Sequence, residues 1–106
     1  MKLRVRDVCG DSRVFREDGI KLRHAVEDGW LHSESVEIDF EKIRIASASF
    51  MDEGIAVLAL RMPLDEIRRK LKIVNLTEPD RRLLNELTLA RARERRGSHA
   101  GDPLES

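Results

Sequence analysis

The spacing of hydrophobic residues changes repeatedly along this sequence. Residues 36–40 (VEIDF) alternate apolar and acidic side chains, and this period of two predicts a half-buried strand. Leu22, Val26 and Trp30 recur at helical spacing after Asp18, which is expected to cap an amphipathic helix. Strands that alternate with helices predict an α/β fold, in which helices pack on a small mixed sheet with some parallel strand pairs.

Other segments extend this alternation. Residues 3–8 (LRVRDV) have the same period of two and predict a first strand, and residues 9–15 contain turn-forming residues and a second short extended piece. Residues 71–76 (LKIVNL) predict a further strand. One helix is expected over residues 50–61, and the last helix opens at Thr77, where a capping hydroxyl precedes a proline and acidic residues.

The chain length suits a single domain. A chain of 106 residues can bury one core but has little room for a deep substrate cavity. We expect the domain to span residues 1–96. Residues 97–106 (GSHAGDPLES) have too little apolar surface to order themselves and are expected to form a flexible C-terminal tail.

Composition argues against several functional classes. Twenty basic and twenty acidic residues cancel, whereas general polyanion binding needs a basic field over a whole face. The single Cys9 cannot form an internal disulfide, and no apolar run reaches the length of about 18 residues that suits a membrane span. Because the N-terminus also lacks a signal-peptide pattern, we expect a cytoplasmic protein without membrane contact.

No catalytic or metal-binding arrangement is recognisable in the sequence. His24 and His32 are eight residues apart, a spacing that does not suit a metal site. Cys9 is distant from both histidines along the chain, and the isolated glycines do not form a phosphate-binding loop. We therefore expect no catalytic residues, no metal, no cofactor and no enzymatic activity.

Residues 45–54 (IASASFMDEG) combine two serines, an aromatic ring and two acids at the expected start of a helix. Ser49 and Asp52 have the spacing of a capping box, with the hydroxyl at the N-cap and the carboxylate three residues later. Ser49 is alternatively a phosphoacceptor, although Asp52 and Glu53 would repel the added charge. Ser47 is expected to be a loop hydroxyl that bonds to the backbone.

The run that follows, residues 54–60 (GIAVLAL), is apolar around the whole circumference of a helix. A helix of this kind is either buried on all sides or presents one face to a partner. Gly54, Ala56 and Ala59 would allow another helix to approach closely. The sequence leaves both interpretations open, a core helix alone or a core helix with an interface.

Two blocks of the sequence, IDFEKIRIASASFMDE and KLKIVNLTEPDRRLLNEL, resemble a known bacterial family. This is the STAS-like domain family of unknown function, which is related to the anti-sigma-factor antagonists. The resemblance covers residues 16–91 and depends on the order and spacing of the motifs. In the first block it is carried by Asp39, Phe40, Ser47, Ser49, Phe50, Asp52 and Glu53.

The resemblance implies a single STAS-like domain with a role in protein interaction. In the antagonists, the second serine of a D-S-S-G segment is phosphorylated by the partner anti-sigma kinase, and that serine falls on Ser49. This chain has Ser47 and Ala48 in place of the preceding two residues, and Phe50 in place of the glycine. Phenylalanine excludes the close backbone approach that glycine allows.

The sequence supports two functional hypotheses. The first is a non-enzymatic regulatory domain that docks on a signalling protein, such as an anti-sigma-type ATPase-kinase, through the start of the helix from Phe50 to Arg61. The interaction region would be Asp39, Ser47, Ser49, Phe50, Asp52 and Glu53. A second copy of the chain is another candidate partner, and neither a membrane nor nucleic acid is expected.

The second hypothesis is a nucleotide- or nucleic-acid-linked regulatory or defence module. It would use the arginine-rich C-terminal helix, whose cations are Arg91, Arg93, Arg95 and Arg96. Such a cluster is also a favourable way to end a helix, because cations stabilise the helix C-terminus.

Overall fold

The computed structural model describes the backbone of residues 1–100 and the side chains of residues 1–97. Its strands are β1 (Lys2–Arg4), β2 (Arg13–Val14), β3 (Val36–Asp39), β4 (Arg44–Ile45) and β5 (Leu71–Val74). Its helices are α1 (Val5–Cys9), α2 (Arg16–Trp30), α3 (Ala48–Gly54), α4 (Leu64–Lys70) and α5 (Glu78–Ala100), with a 3₁₀ helix at Ala56–Leu60. This alternation of strands and helices confirms the α/β fold.

The strands form two parallel sheets rather than one mixed sheet. In the larger sheet β3 lies between β1 and β5, and its register places Ile38 beside Leu3 and Ile73. The strands β2 and β4 form a separate two-stranded sheet, called here the β2–β4 ribbon. Parallel pairing follows from the connections, because each strand reaches its partner through at least one helix.

The N-terminal segment differs from the strand expected at residues 3–8. The strand β1 ends at Arg4, and α1 follows at once, so the expectation is wrong beyond Arg4. The helical turn places Val5 and Cys9 on one face, and both are buried in the core. Gly10 ends the helix with a left-handed φ of 76°, a conformation that glycine adopts without strain.

The helix α2 has the apolar face that the sequence predicts. Leu22 and Val26 are fully buried on it, and Gly19 is buried where α2 passes close to α3. The Asp18 carboxylate accepts the Phe15 backbone N–H at 2.9 Å. Asp18 is therefore the third residue of α2, and its side chain reaches back to the N–H group of Phe15. The N-cap position itself is occupied by Phe15.

The apolar run at residues 54–60 does not continue α3. The helix ends at Gly54, Ile55 leaves the helical region (φ −131°, ψ −55°), and the 3₁₀ helix follows. The expectation of one continuous helix here is therefore wrong. Because the bend turns the 3₁₀ helix into the core, Ala56 and Ala59 are fully buried and cannot form an interface.

The helix α5 begins where the sequence predicts. The Thr77 hydroxyl accepts the Asp80 backbone N–H at 3.4 Å near its start. The helix runs to Ala100, so it includes residues 97–100 of the expected tail, whereas residues 101–106 lie outside the described residues. Over the described part of the chain, no helix combines the length and hydrophobicity that a membrane crossing requires.

Candidate functional site

The start of α3 is held in place by the β2–β4 ribbon. The backbone N–H groups of Arg44 and Ala46 donate to the carbonyls of Ser12 (2.7 Å) and Val14 (3.0 Å). Ala46 is therefore fixed shortly before the helix, whose first residue is Ala48. These backbone bonds position the two serines of the segment.

Ser47 and Ser49 form a hydroxyl pair at this helix start. Ser47 is the N-cap, and its Oγ accepts the Ser49 backbone N–H at 3.2 Å. The two Oγ atoms are 2.8 Å apart, and both side chains are half-buried. The expected hydrogen bond of the Ser47 hydroxyl to the backbone is confirmed. The capping box of Ser49 and Asp52 is wrong, because the helix begins earlier than that box requires.

Phe50 anchors the helix from the inside. Its ring is fully buried and meets the Phe40 ring edge-to-face, with centroids 6.3 Å apart. Met51, the next residue, is also fully buried. Phe50 therefore fixes the position of α3 and does not present its side chain to a partner.

Asp52 is paired with an arginine from α5. The Arg91 guanidinium donates from Nε to Oδ1 (2.9 Å) and from Nη2 to Oδ2 (2.5 Å), while its Nη1 donates to Glu94 (2.8 Å). The hydrogen bonds to Asp52, and then those to Glu94, raise the pKa of Arg91 above its ordinary value. The charge of Asp52 is thus compensated where α5 packs on α3.

Glu53 faces α2 instead. Its carboxylate pairs with Arg23 at 3.2 Å and with Arg16 at 3.4 Å. The Arg23 guanidinium also donates to the backbone carbonyl of Glu53 at 3.1 Å. Glu53 therefore joins α3 to α2 and is not a free acid on the surface.

Asp39 lies at the carboxyl end of β3. Its Oδ1 accepts hydrogen bonds from the Asn75 side-chain amide (2.8 Å) and from the Glu41 backbone N–H (2.9 Å). The Asn75 bond, followed by the Glu41 bond, holds the pKa of Asp39 below its ordinary value of 3.8. Among the described residues, Asp39 makes no hydrogen bond to the start of α3.

One comparison with known proteins identifies the family. The model of the "STAS-like domain of unknown function (DUF4325)" matches residues 18–81, more than half of the chain. The chain belongs to this STAS-like family. No curated protein and no solved structure matches it significantly. The match confirms the resemblance of the sequence blocks, and it includes the hydroxyl pair of the STAS-like domain but not Arg91.

The STAS-like domain brings together only part of the predicted interaction region. Three of its residues lie on the partly exposed side of α3: Ser47, Ser49 and Asp52. Of the other three, Phe50 faces the core, Glu53 faces α2, and Asp39 lies at the end of the sheet. Arg91 joins the first group, although no local sequence signal near Asp52 or Arg91 indicates the pair.

Cys9 of the STAS-like domain is buried beside α2. Its thiol donates to the Asp18 carbonyl at 3.5 Å. Burial, followed by the charge of Asp18, raises the pKa of Cys9 to about 11, so the thiol stays protonated at neutral pH. Among the side chains that the structure describes, no group of three His, Cys, Asp or Glu residues is arranged to hold a metal.

The Asp39 carboxyl provides a direct test of the sheet-end geometry. The pKa of Asp39 is lower in the folded chain than in the unfolded chain, so the bond from Asn75 to the ionised carboxylate stabilises the fold at pH values above the unfolded pKa. This stabilisation is lost as the pH falls through the folded pKa. We expect an NMR titration of the Asp39 carboxyl carbon to give a pKa below 3.8, and a higher value in Asn75→Ala. Asn85→Ala, at an exposed asparagine of α5, should not change the titration. Identical curves for wild type and Asn75→Ala would contradict the hydrogen bond.

Proposed function

We propose that this STAS-like domain is a non-enzymatic regulatory module that binds a signalling protein through the first turn of α3. The observation that carries the proposal is the hydroxyl pair of Ser47 and Ser49, with its oxygens 2.8 Å apart. The fully buried Phe50 anchors the same helix turn from below. A half-exposed polar group that is already held rigid loses little conformational entropy when a partner binds it.

The proposed contact is polar rather than apolar. Ala56 and Ala59 are buried, so the small residues of the apolar run are not offered to a partner. The exposed Ala48 separates the two serines, and its small side chain lets a partner backbone approach both hydroxyls. The binding surface is therefore centred on hydrogen bonds to Ser47 and Ser49.

We propose an anti-sigma-type ATPase-kinase as the partner class, based on the relatives of the family, with Ser49 as the modified residue. Ser49 and Asp52 are three residues apart on one side of α3, so a phosphate on Ser49 would lie near the Asp52 carboxylate. Arg91 already binds that carboxylate through two hydrogen bonds. A phosphate would compete with Asp52 for the Arg91 guanidinium, and phosphorylation would loosen α5 from α3.

Substitution of the two serines tests this proposal. The partner is first identified by cross-linking in the native cells and mass spectrometry, and its affinity is then measured with purified proteins. Ser47→Ala should lower the free energy of unfolding by about 1 kcal/mol, because α3 loses its cap. Ser49→Ala should weaken partner binding only about threefold, through loss of one neutral hydrogen bond, whereas Ser49→Asp should weaken it roughly thirtyfold or more, since it also adds charge at the contact.

Ser33, in the loop between α2 and β3, supplies the matched controls. Ser33→Ala and Ser33→Asp make the same chemical changes away from α3 and should leave partner binding unchanged. If Ser49→Ala and Ser49→Asp bind the partner equally well, Ser49 is not a switch, and the hydroxyl pair only caps the helix.

The alternative function at the arginine-rich end of α5 is not part of this proposal. Arg91 is bound to Asp52 and Glu94, so the four arginines do not form one accessible basic surface. No contact within the described residues favours nucleic-acid binding by the remaining three arginines. We therefore do not propose a nucleic-acid function for α5.

A further inference from the structure

We propose that the β2–β4 ribbon carries a second binding site, which takes the phosphate of a nucleotide or of a single nucleic-acid strand. The site is an open depression lined by Ser12, Arg13, Lys42, Ile43 and Arg44. Three of these residues are cations and none is an acid. In a chain with twenty basic and twenty acidic residues, this is a local excess of positive charge.

Arg13 and Arg44 are register partners in the parallel ribbon, so their side chains leave from the same face. Both are exposed, whereas Val14, on the opposite face, is fully buried. Like charges on neighbouring strands repel each other, and neither arginine has an ion-pair partner in the part of the chain that the structure describes. An anion bound between them would remove this repulsion.

Lys42 brings a third cation to the depression through a strained turn. The Ile43 backbone N–H donates to the Phe40 carbonyl (3.0 Å), and Lys42, the third residue of this turn, has a φ of 58°. Glycine and asparagine adopt this left-handed conformation more readily than lysine does. The turn itself therefore does not explain a lysine at this position, where the ammonium group adds a cation to the depression.

Phe15 adds an aromatic surface beside the cations. Its ring is 49% exposed, and the Arg13 guanidinium lies 5.6 Å from the ring centroid. A base can stack on an exposed ring while its phosphate binds neighbouring cations, which is how many proteins hold single strands. The ring therefore favours a nucleoside phosphate over a phosphopeptide.

Two acids flank the lining residues along the chain, Asp11 before Ser12 and Glu41 before Lys42. Glu41 is exposed and lines a neighbouring depression, whereas Asp11 is already engaged. The Asp11 carboxylate accepts the backbone N–H groups of Ser12 (2.6 Å) and Arg13 (3.3 Å). It organises the start of the β2 strand through these bonds. The hydroxyl of Ser12 remains a further donor at the edge of the depression.

Fluorescence anisotropy with a labelled oligodeoxythymidylate of about ten nucleotides tests the site. We expect saturable binding at low salt that weakens as salt is added. Arg13→Gln/Arg44→Gln should raise the Kd at least about tenfold. It should also reduce the magnitude of the slope of the log association constant against log salt concentration by about 1.4, because each phosphate contact on a single strand contributes about 0.7 to that slope. Phe15→Ala should raise the Kd about fivefold or more through loss of stacking.

Two further variants separate the site from general charge and from folding. Arg93→Gln/Arg96→Gln removes the same charge from two exposed arginines of α5 and should bind the probe like wild type. Lys42→Asn should bind the probe more weakly than wild type without a lower Tm, because asparagine tolerates the left-handed backbone.

Competition distinguishes the sources of the phosphate. Displacement of the probe by ATP as well as by unlabelled strand, at equal phosphate concentration, would assign the site to a free nucleotide. Displacement by the strand alone would assign it to nucleic acid. The proposal is overturned if wild type does not bind the probe, if the α5 control loses as much affinity as Arg13→Gln/Arg44→Gln, or if only a phosphoserine peptide displaces the probe.

Discussion

A Gly19→Ala variant is expected to lose about 2 to 3 kcal/mol of its free energy of unfolding. A Cβ atom at this position would lie 2.5 Å from the Phe50 carbonyl oxygen and 3.2 Å from the Gly54 backbone nitrogen. Both atoms belong to the backbone of α3, so α2 and α3 would have to separate. In an unobstructed helix the same substitution stabilises by about 1 kcal/mol, so the sign of the effect is diagnostic.

Gly97→Ala provides the unobstructed comparison. A Cβ atom built at Gly97, on α5, meets no described atom within 4 Å apart from its chain neighbours and its own helix backbone, and the substitution should raise the free energy of unfolding by up to about 1 kcal/mol. Urea unfolding followed by circular dichroism measures both variants. Stabilisation by both substitutions would show that α2 and α3 do not meet closely at Gly19.

Periodicity alone predicts α2, β3 and β5, because each of these elements packs one face against the core. Leu22 and Val26 of α2 are fully buried at the positions that their helical spacing indicates. Val36 and Ile38 of β3 are fully buried at the alternate positions of a strand. In these segments the local pattern and the tertiary burial agree.

Two features of the fold could not be predicted, and the reasons are physical. Residues four apart share a face in both a strand and a helix, so burial at Val5 and Cys9 does not distinguish the two. The break at Ile55 lies in an apolar run without proline, and the single glycine before it, Gly54, does not by itself end a helix. It accompanies the close contact of Gly54 with Gly19, which exists only in the folded domain.

The candidate sites also include one feature that the local sequence indicates and two that it does not. The Ser47 hydroxyl bonds to the backbone two residues away, so the local sequence indicates its role. The pairing of Asp52 with Arg91 and the register of Arg13 with Arg44 join distant segments of the chain. Packing of α5 on α3 creates the pair of Asp52 and Arg91, and pairing of β2 with β4 brings Arg13 beside Arg44. A net charge of zero therefore conceals a local basic surface.

The pair of Asp52 and Arg91 should produce the second large effect on stability. Arg91→Met removes the two charge-assisted hydrogen bonds to Asp52 and a third to Glu94, and it keeps most of the apolar stem. The paired side chains of Arg91 and Asp52 are 30% and 21% exposed, so solvent screens them only in part. We expect Arg91→Met to lower the free energy of unfolding by about 1 to 2 kcal/mol, and Asp52→Asn to cost a similar amount.

Arg93→Met is the matched control on the same helix. Arg93 is exposed and has no ion-pair partner among the described residues, so its substitution should change the free energy of unfolding by less than about 0.5 kcal/mol. Equal losses for Arg91→Met and Arg93→Met would show that the hydrogen bonds to Asp52 contribute nothing specific.

A double-mutant cycle isolates the coupling between the two side chains. Arg91→Met combined with Asp52→Asn should cost about 1 kcal/mol less than the sum of the single variants, because the second substitution removes a bond that the first has already broken. Asp52 lies within the family-matched residues 18–81 and Arg91 lies beyond them, so a coupling energy would tie α5 to the family core. Strictly additive costs would show that this ion pair does not couple α5 to α3, although Leu84 and Ala92 of α5 would still pack in the core. Additive costs would also remove the route by which a phosphate on Ser49 is proposed to release α5.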